Sequence, residues 1–249
     1  RAVSVSCGNE HTAVLLDDGV LLMTGRNEFG QLGVDKDTIP ESRELLELDG
    51  DWGSERYASV SCGGEFTAAV SRTGRLCTFG KNNNGQCGRA VETEFLPPGW
   101  VEFFAGQLIA KLACGEEHVA CVRARNGALF TFGKADDGQL GHADRREDPA
   151  AVAVPRQVLH DFGGNEVEQL SCGACSTVVV TNNGDIWQTG SCDMKPADLP
   201  WTFQLKIFAN VAYRTLALKV IGKNMCITFP VRTKLQQDAV DENVREMNA

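Results

Sequence analysis

Apolar and polar residues alternate with a period of two in short runs, and the runs come in groups. Val3-Ser4-Val5-Ser6 opens the first group, and Val60-Ser61 and Leu170-Ser171 hold the same place later. A period of two sends successive side chains to opposite faces of an extended strand. Thr12–Leu16 and Val20–Thr24 are apolar runs on either side of Asp18-Gly19, a connection that tolerates positive φ and predicts a hairpin. Thr73-Gly74, Asn126-Gly127, Asn183-Gly184 and Ile221-Gly222 stand in equivalent places. An outer strand is expected near 42–48, 95–104, 150–160 and 200–208. Each group is thus a four-stranded antiparallel unit.

The groups are copies of one another. The first carries Cys7-Gly8, then Gly25 and Gly30-Gln31-Leu32-Gly33; the second Cys62-Gly63, then Gly80 and Gly85-Gln86-Cys87-Gly88. The third carries Cys114-Gly115, then Gly133 and Gly138-Gln139-Leu140-Gly141, while the fourth keeps only Cys172-Gly173 and Gly190. The Cys-Gly pairs stand 55, 52 and 58 residues apart, longer than the roughly 40–45 residues of WD-type blades. A worn fifth copy aligns through Thr215-Leu216-Ala217-Leu218. Compact residues (Ala13, Ala68, Ala69, Ala120, Cys121) fall on the second strand, and bulky ones (Phe79, Phe130, Phe132, Trp187) on the third. Sheets converging on an axis need that taper, so the expected fold is an all-β propeller of four-stranded blades. The units are expected at 1–55, 56–106, 107–164, 165–205 and 206–232, with 233–249 a helical tail or linker.

The pattern Cys-Gly-x-x-His-Thr, then Gly-x-Asn-x-x-Gly-Gln-Leu-Gly, resembles the repeat of the regulator of chromosome condensation family over about residues 1–200. Members resembling this repeat usually close seven blades. The expectation here is a piece of a larger ring, the alternative a shortened ring of about five blades. The resemblance implies a non-catalytic protein-binding module, such as those attached to ubiquitin-ligase domains. A second implied role is guanine-nucleotide exchange on a Ran-type small GTPase, by differential binding without covalent chemistry. Light sensing, as in the related ultraviolet-B photoreceptor, would need clustered tryptophans in a Gly-Trp-Arg-His-Thr motif. Trp52, Trp100, Trp187 and Trp201 lie outside that position.

Composition narrows the partners. The net charge is −9 with no Lys/Arg block, which disfavours direct nucleic-acid binding. No apolar run reaches the roughly twenty residues of a membrane span, and the first residues do not read as a signal peptide. Four of the ten cysteines occupy one repeated strand position, as small buried hydrophobes do. That usage suits the cytosol or nucleus.

No constellation carries chemistry. Cys172-x-x-Cys175 is a coincidence of register, because Cys175 stands where Glu10, Glu65 and Glu117 stand. His11 and His118 share a repeat position with Phe66, Ser176 and Arg214, which fits an inter-blade hydrogen bond better than catalysis. The Gly-Gln-x-Gly copies lack the Lys-Ser/Thr of a phosphate loop and are expected to supply positive-φ turns. No cofactor or metal is expected, and no catalytic residue.

One surface is singled out. Glu10, Glu65 and Glu117 end the first connection of each unit, and Arg26, Lys81 and Lys134 end the third strand at the same edge. They form either salt bridges or a charged docking rim. The same edge carries the loops Asn27-Glu28-Phe29, Asn82-Asn83-Asn84 and Ala135-Asp136-Asp137. These residues are the candidate partner-binding set, together with Arg145 and Arg146 in a charged connection.

Overall fold

The computed structural model describes residues 1–48, 51–89, 93–142, 151–159 and 162–190, and three strand segments at 203–205, 216–219 and 226–229. Four antiparallel sheets follow one another, each in sequence order. The first holds β1 (Ala2–Cys7), β2 (His11–Leu16), β3 (Leu21–Arg26) and β4 (Glu41–Glu47). The second holds β5 (Tyr57–Cys62), β6 (Phe66–Ser71), β7 (Leu76–Lys81) and β8 (Phe95–Trp100). The third comprises β9 (Ile109–Cys114), β10 (His118–Arg123), β11 (Leu129–Lys134) and β12 (Ala151–Gln157). The fourth comprises β13 (Val167–Gly173), β14 (Ser176–Thr181), β15 (Ile186–Gly190) and β16 (Phe203–Leu205). A fifth pair, β17 (Leu216–Lys219) with β18 (Cys226–Phe229), aligns Leu216 with Phe229. The segment 101–104, grouped with an outer strand on sequence, instead includes a 3-10 turn at Glu102–Phe104 that drops Phe104 into the core.

Each sheet is a propeller blade, and the first strands adjoin at the centre. The amide of Cys62 donates to Ser6 Oγ at 2.9 Å and that of Cys114 to Ser61 Oγ at 3.0 Å. The thiols of Cys62, Cys114 and Cys172 donate to the carbonyls of Ser6, Ala113's neighbour-blade equivalent Ser61, and Ala113 in turn. A bulkier side chain would separate the strands that these contacts hold. Blade-to-blade main-chain bonds repeat the stitching at the first turns, from Asn9 to Gly64, Gly64 to Glu116 and Glu116 to Ala174.

Side-chain size follows distance from the axis. Ala13, Ala68, Ala69, Ala120 and Cys121 on second strands are fully buried, as are Met23, Phe79 and Phe132 on third strands. Residues of two neighbouring blades share each core, as Leu15, Leu21 and Met23 do with Ala69, Cys77 and Phe79. Burying a side chain of that size contributes roughly 1.5–3 kcal/mol.

The second strands also meet across the gaps. Nε2 of His11 lies 2.9 Å from Thr67 Oγ1, and Nε2 of His118 lies 2.9 Å from Thr177 Oγ1. Between those two interfaces, Phe66 and Val119 take the two places and bury in one apolar cluster. In the first three units the glycine of the Cys-Gly pair makes room for the ring. A Cβ on Gly8 would stand 2.3 Å from His11 Cε1, and one on Gly63 would stand 1.9 Å from the Phe66 ring.

Candidate functional site

Register brings the charged residues together at one edge of each blade. His11 pairs with Gly25, Phe66 with Gly80 and His118 with Gly133, so the residue before one faces the residue after the other. The amides of Arg26, Lys81 and Lys134 accordingly donate to the carbonyls of Glu10, Glu65 and Glu117. Their side chains pair as well, Arg26 with Glu10 at 2.7 Å, Lys81 with Glu65 at 2.5 Å and Lys134 with Glu117 at 3.1 Å. Lys81 also reaches Glu117 of the next blade at 3.7 Å. Hydrogen bonds to these carboxylates raise both lysines above their ordinary value, against the opposing effect of partial burial. Every one of the three cations is therefore spent on a carboxylate.

The loops divide into clamps and projecting residues. Asn27 is fully buried: its side chain accepts from the Leu32 amide and donates to the carbonyls of Val34 and Ile39. Asn82 is buried likewise and accepts from the Cys87 amide. Both belong to the loop's own framework, which leaves neither amide on the surface. The reason is local: a turn closed by Gly30 and Gly33 (φ 77° and 73°) points one main-chain N–H and two carbonyls inward, and an asparagine, which both accepts and donates, satisfies all three. Glu28, Asn83 and Asp136 are exposed, and Phe29, Asn84 and Asp137 are half-buried. Lys81 stands over the Phe29 ring of the preceding blade, 5.2 Å from its centre. Arg145 and Arg146 lie outside the described residues.

Sequence reasoning left the glutamines unassigned. Gln31, Gln86 and Gln139 are all buried, and each side-chain oxygen accepts the amide two residues back, from Phe29, Asn84 and Asp137. Their recurrence at one position in three units was the available signal. Two tryptophans kept apart in the sequence reading also meet, Trp52 and Trp100 at 5.0 Å, with Arg75 over Trp100 at 3.8 Å.

His11, His118 and most of the described cysteines are buried and biased toward their neutral forms, while Cys7 is exposed, against the sequence expectation of a buried residue at its position. Burial lowers His11 and His118 to about 4, offset only in part by the main chain of Phe66 and Ser176. Burial likewise pushes the thiols of Cys62 up to about 11 and of Cys77 and Cys87 up to about 12. Cys175 is half-buried beside Asp137, and its thiol is raised to about 11, chiefly by burial. Thiols held neutral in this way are poor nucleophiles. Among the described residues no three His, Cys, Asp or Glu side chains gather as a metal site. A cavity of about 30 Å³ between Leu129, Leu140, Val179 and Trp187 has room for about one water. No described helix is long and apolar enough to cross a membrane.

Four-stranded blades around a common centre, with their repeated polar residues spent on packing, define a repeat-type β-propeller. The chain belongs to the regulator of chromosome condensation (RCC1) repeat family, whose sequence profiles match residues 2–31, 57–86, 73–122 and 126–180. It is 35% identical over 191 residues to the human probable E3 ubiquitin-protein ligase HERC3, covering 76% of this chain and 17% of that protein. It is 30% identical over 192 residues to the ultraviolet-B receptor UVR8 of Arabidopsis thaliana, covering 76% of this chain and 41% of that one. The chain thus spans less than half of either relative. Among solved structures, human WBSCR16 superposes with a TM-score of 0.68 at 25% identity, over 82% of this chain and 52% of that one. Yeast RCC1 (Prp20), solved bound to Kap60, superposes with a TM-score of 0.69 at 17% identity, over 100% of this chain and 57% of its own.

Proposed function

We propose that this propeller is a non-catalytic protein-interaction module whose working surface is the loop-bearing face. The observation that carries the reading is the division of labour within each blade. Asparagine, glutamine and glycine hold the loops rigid from inside, while Glu28, Asn83 and Asp136 project as exposed side chains, Glu28 with one ion pair to Arg26 at 3.5 Å. A preorganised surface loses little freedom on association, which is where binding energy is otherwise dissipated. The inward-facing histidines and the buried cysteines support the same reading, because their chemistry is consumed in blade packing.

The partner is a protein, and the similarity to HERC3 directs the search to components of the ubiquitin pathway. Among the described residues Arg26, Lys81 and Lys134 are each paired with a glutamate, and Glu116 and Asp136 add exposed acidic charge beside them, so the docking segment should present basic groups. Affinity capture tests the reading. The triple variant Glu28→Lys, Asn83→Lys, Asp136→Lys is expected to lose a partner that the unaltered chain retains, with an unchanged melting temperature. Retention by the variant would overturn it. Guanine-nucleotide exchange on a Ran-type GTPase rests on family resemblance, and release of loaded nucleotide with excess protein checks it separately.

A further inference from the structure

We infer that the groove between the first two blades, bordered by the outer strand β8, is a docking site for a proline-rich segment of a partner protein that carries arginine. None of the candidate residues of the loop-bearing face lines this groove, so the inference does not rest on that face.

The groove encloses about 390 Å³, within the range of sites that hold a short ligand. One wall is the segment 33–37 of the first blade; the other is the start of β8 in the second, with Trp52. Phe95 is 39% exposed and Pro97 is exposed, while Trp52 and Pro98 are half-buried. Four rings thus border one cleft, over a floor that includes the buried Val34 and Leu96.

The strand itself decides which main chain can lie there. β8 is the edge of its sheet, and a sheet edge ordinarily recruits a further strand through its free N–H groups. Pro97 and Pro98 have no N–H to offer, and the Pro97 carbonyl already accepts from Arg89 at 2.6 Å. Strand addition is therefore blocked along the middle of β8. A polyproline II segment makes no such demand. It forms without a hydrogen-bond ladder, and its pyrrolidine rings pack into grooves lined by aromatic side chains.

Charge decides what else the segment carries. Asp35, Lys36 and Asp37 line the groove, two carboxylates against one ammonium. Lys36 pairs with Asp37 at 2.9 Å and lies over the Phe95 ring, 4.4 Å from its centre. The chain's own cation already shows that a positive charge is favoured between this carboxylate and this ring. The pair is shallow, with the Asp37 side chain 82% exposed, and such a pair holds weakly. A guanidinium, which can bind a carboxylate through two parallel hydrogen bonds, displaces it. Because polyproline II turns once in three residues, arginine at every third position lines one ridge of the segment.

The test uses the full chain and a fluorescent nine-residue probe, Pro-Pro-Arg repeated three times, with binding read by anisotropy. Saturable binding is expected, at least tenfold tighter than that of an Ala-Ala-Arg repeat and absent for a Pro-Pro-Glu repeat. Phe95→Ser should weaken it at least tenfold without changing the melting temperature. Lys36→Met should tighten it, because Asp37 and the Phe95 ring are then unclaimed. Glu28→Gln with Asp136→Asn, on the loop-bearing face, should leave it within twofold. No saturable binding, equal binding of the alanine repeat, or indifference to Phe95→Ser would overturn the inference. So would loss of binding on the loop-face changes, or a concentration-dependent dimer abolished by Phe95→Ser, since a second copy would then be the occupant.

Discussion

Nε2 of His11 lies 2.9 Å from the hydroxyl of Thr67, and that hydroxyl lies 2.9 Å from the Gln31 carbonyl. A hydroxyl has one proton, and a carbonyl can only accept, so the proton goes to Gln31 and the imidazole must donate from Nε2. Nδ1 is then the bare nitrogen, buried without a hydrogen-bond partner against Gly8. His118, Thr177 and Gln139 repeat the arrangement. Two neutral histidines are built into the blade interfaces.

This makes stability depend on pH in a stated direction. Both imidazoles titrate near 4 in the fold and near 6.5 when unfolded, so between those values protons favour the unfolded chain. Their stabilising contribution is complete above about pH 6.5 and is lost as the pH falls toward 4, each accounting for up to about 3 kcal/mol. Urea midpoints at pH 7.5 and 5 should show the loss. Replacing His11 and Thr67 by Phe and Val, and His118 and Thr177 likewise, should flatten the profile across pH 5–7.

Two glycines should fail for different reasons. Gly8→Ala puts a methyl into the His11 ring at 2.3 Å, so the ring must leave its site and the cost should be several kcal/mol. Nothing lies within 4 Å of a Cβ on Gly30, whose φ is 77°, so Gly30→Ala should cost only about 1 kcal/mol of backbone strain. Denaturant midpoints of the two variants separate the cases.

Among the ion pairs, Lys81 should matter more than Arg26. Lys81 is 20% exposed and joins two blades through Glu65 and Glu117, whereas Arg26 is 47% exposed and pairs within its own blade. Lys81→Met should cost at most about 1 kcal/mol and do so less at high salt. Arg26→Met should leave the melting temperature unchanged.

Thiol labelling should be selective. Among the described cysteines Cys7 alone is exposed, and the thiols of Cys62, Cys77 and Cys87 are held protonated by burial. Among the described cysteines, mass spectrometry after brief alkylation should find Cys7 modified first and Cys62 and Cys114 unmodified until the chain unfolds.

How far the sequence was legible depended on whether the deciding interaction was local. The hairpins at Asp18-Gly19, Thr73-Gly74, Asn126-Gly127 and Asn183-Gly184, and the positive-φ turns at Gly30 and Gly33, are written in adjacent residues, and the structure has them there; Ile221-Gly222 lies outside the described residues. The outer strands could be placed to within a few residues, at 41–47, 95–100 and 151–157. The inter-blade role of His11 was legible from repetition, but its partner Thr67 lies 56 residues away. The contact between Trp52 and Trp100 was hidden for the same reason. Asn27 and Asn82 read as surface residues because polar loop residues usually are; three stranded main-chain groups turned Asn27 inward. The candidate face was visible as an edge rich in charge, with salt bridges as one of its two readings, and the structure pairs all three of its cations with glutamates; which carboxylate each one meets, including Glu117 of the next blade for Lys81, depends on packing between units.

The most direct test of the binding face uses a photo-crosslinking amino acid at Asn83 or Asp136 on the loop side, and at Thr73 or Asn126 on the hairpin side. All four positions are exposed. Adducts with one partner from the first two positions, and none from the last two, are the predicted result. Adducts confined to Thr73 and Asn126 would contradict the account.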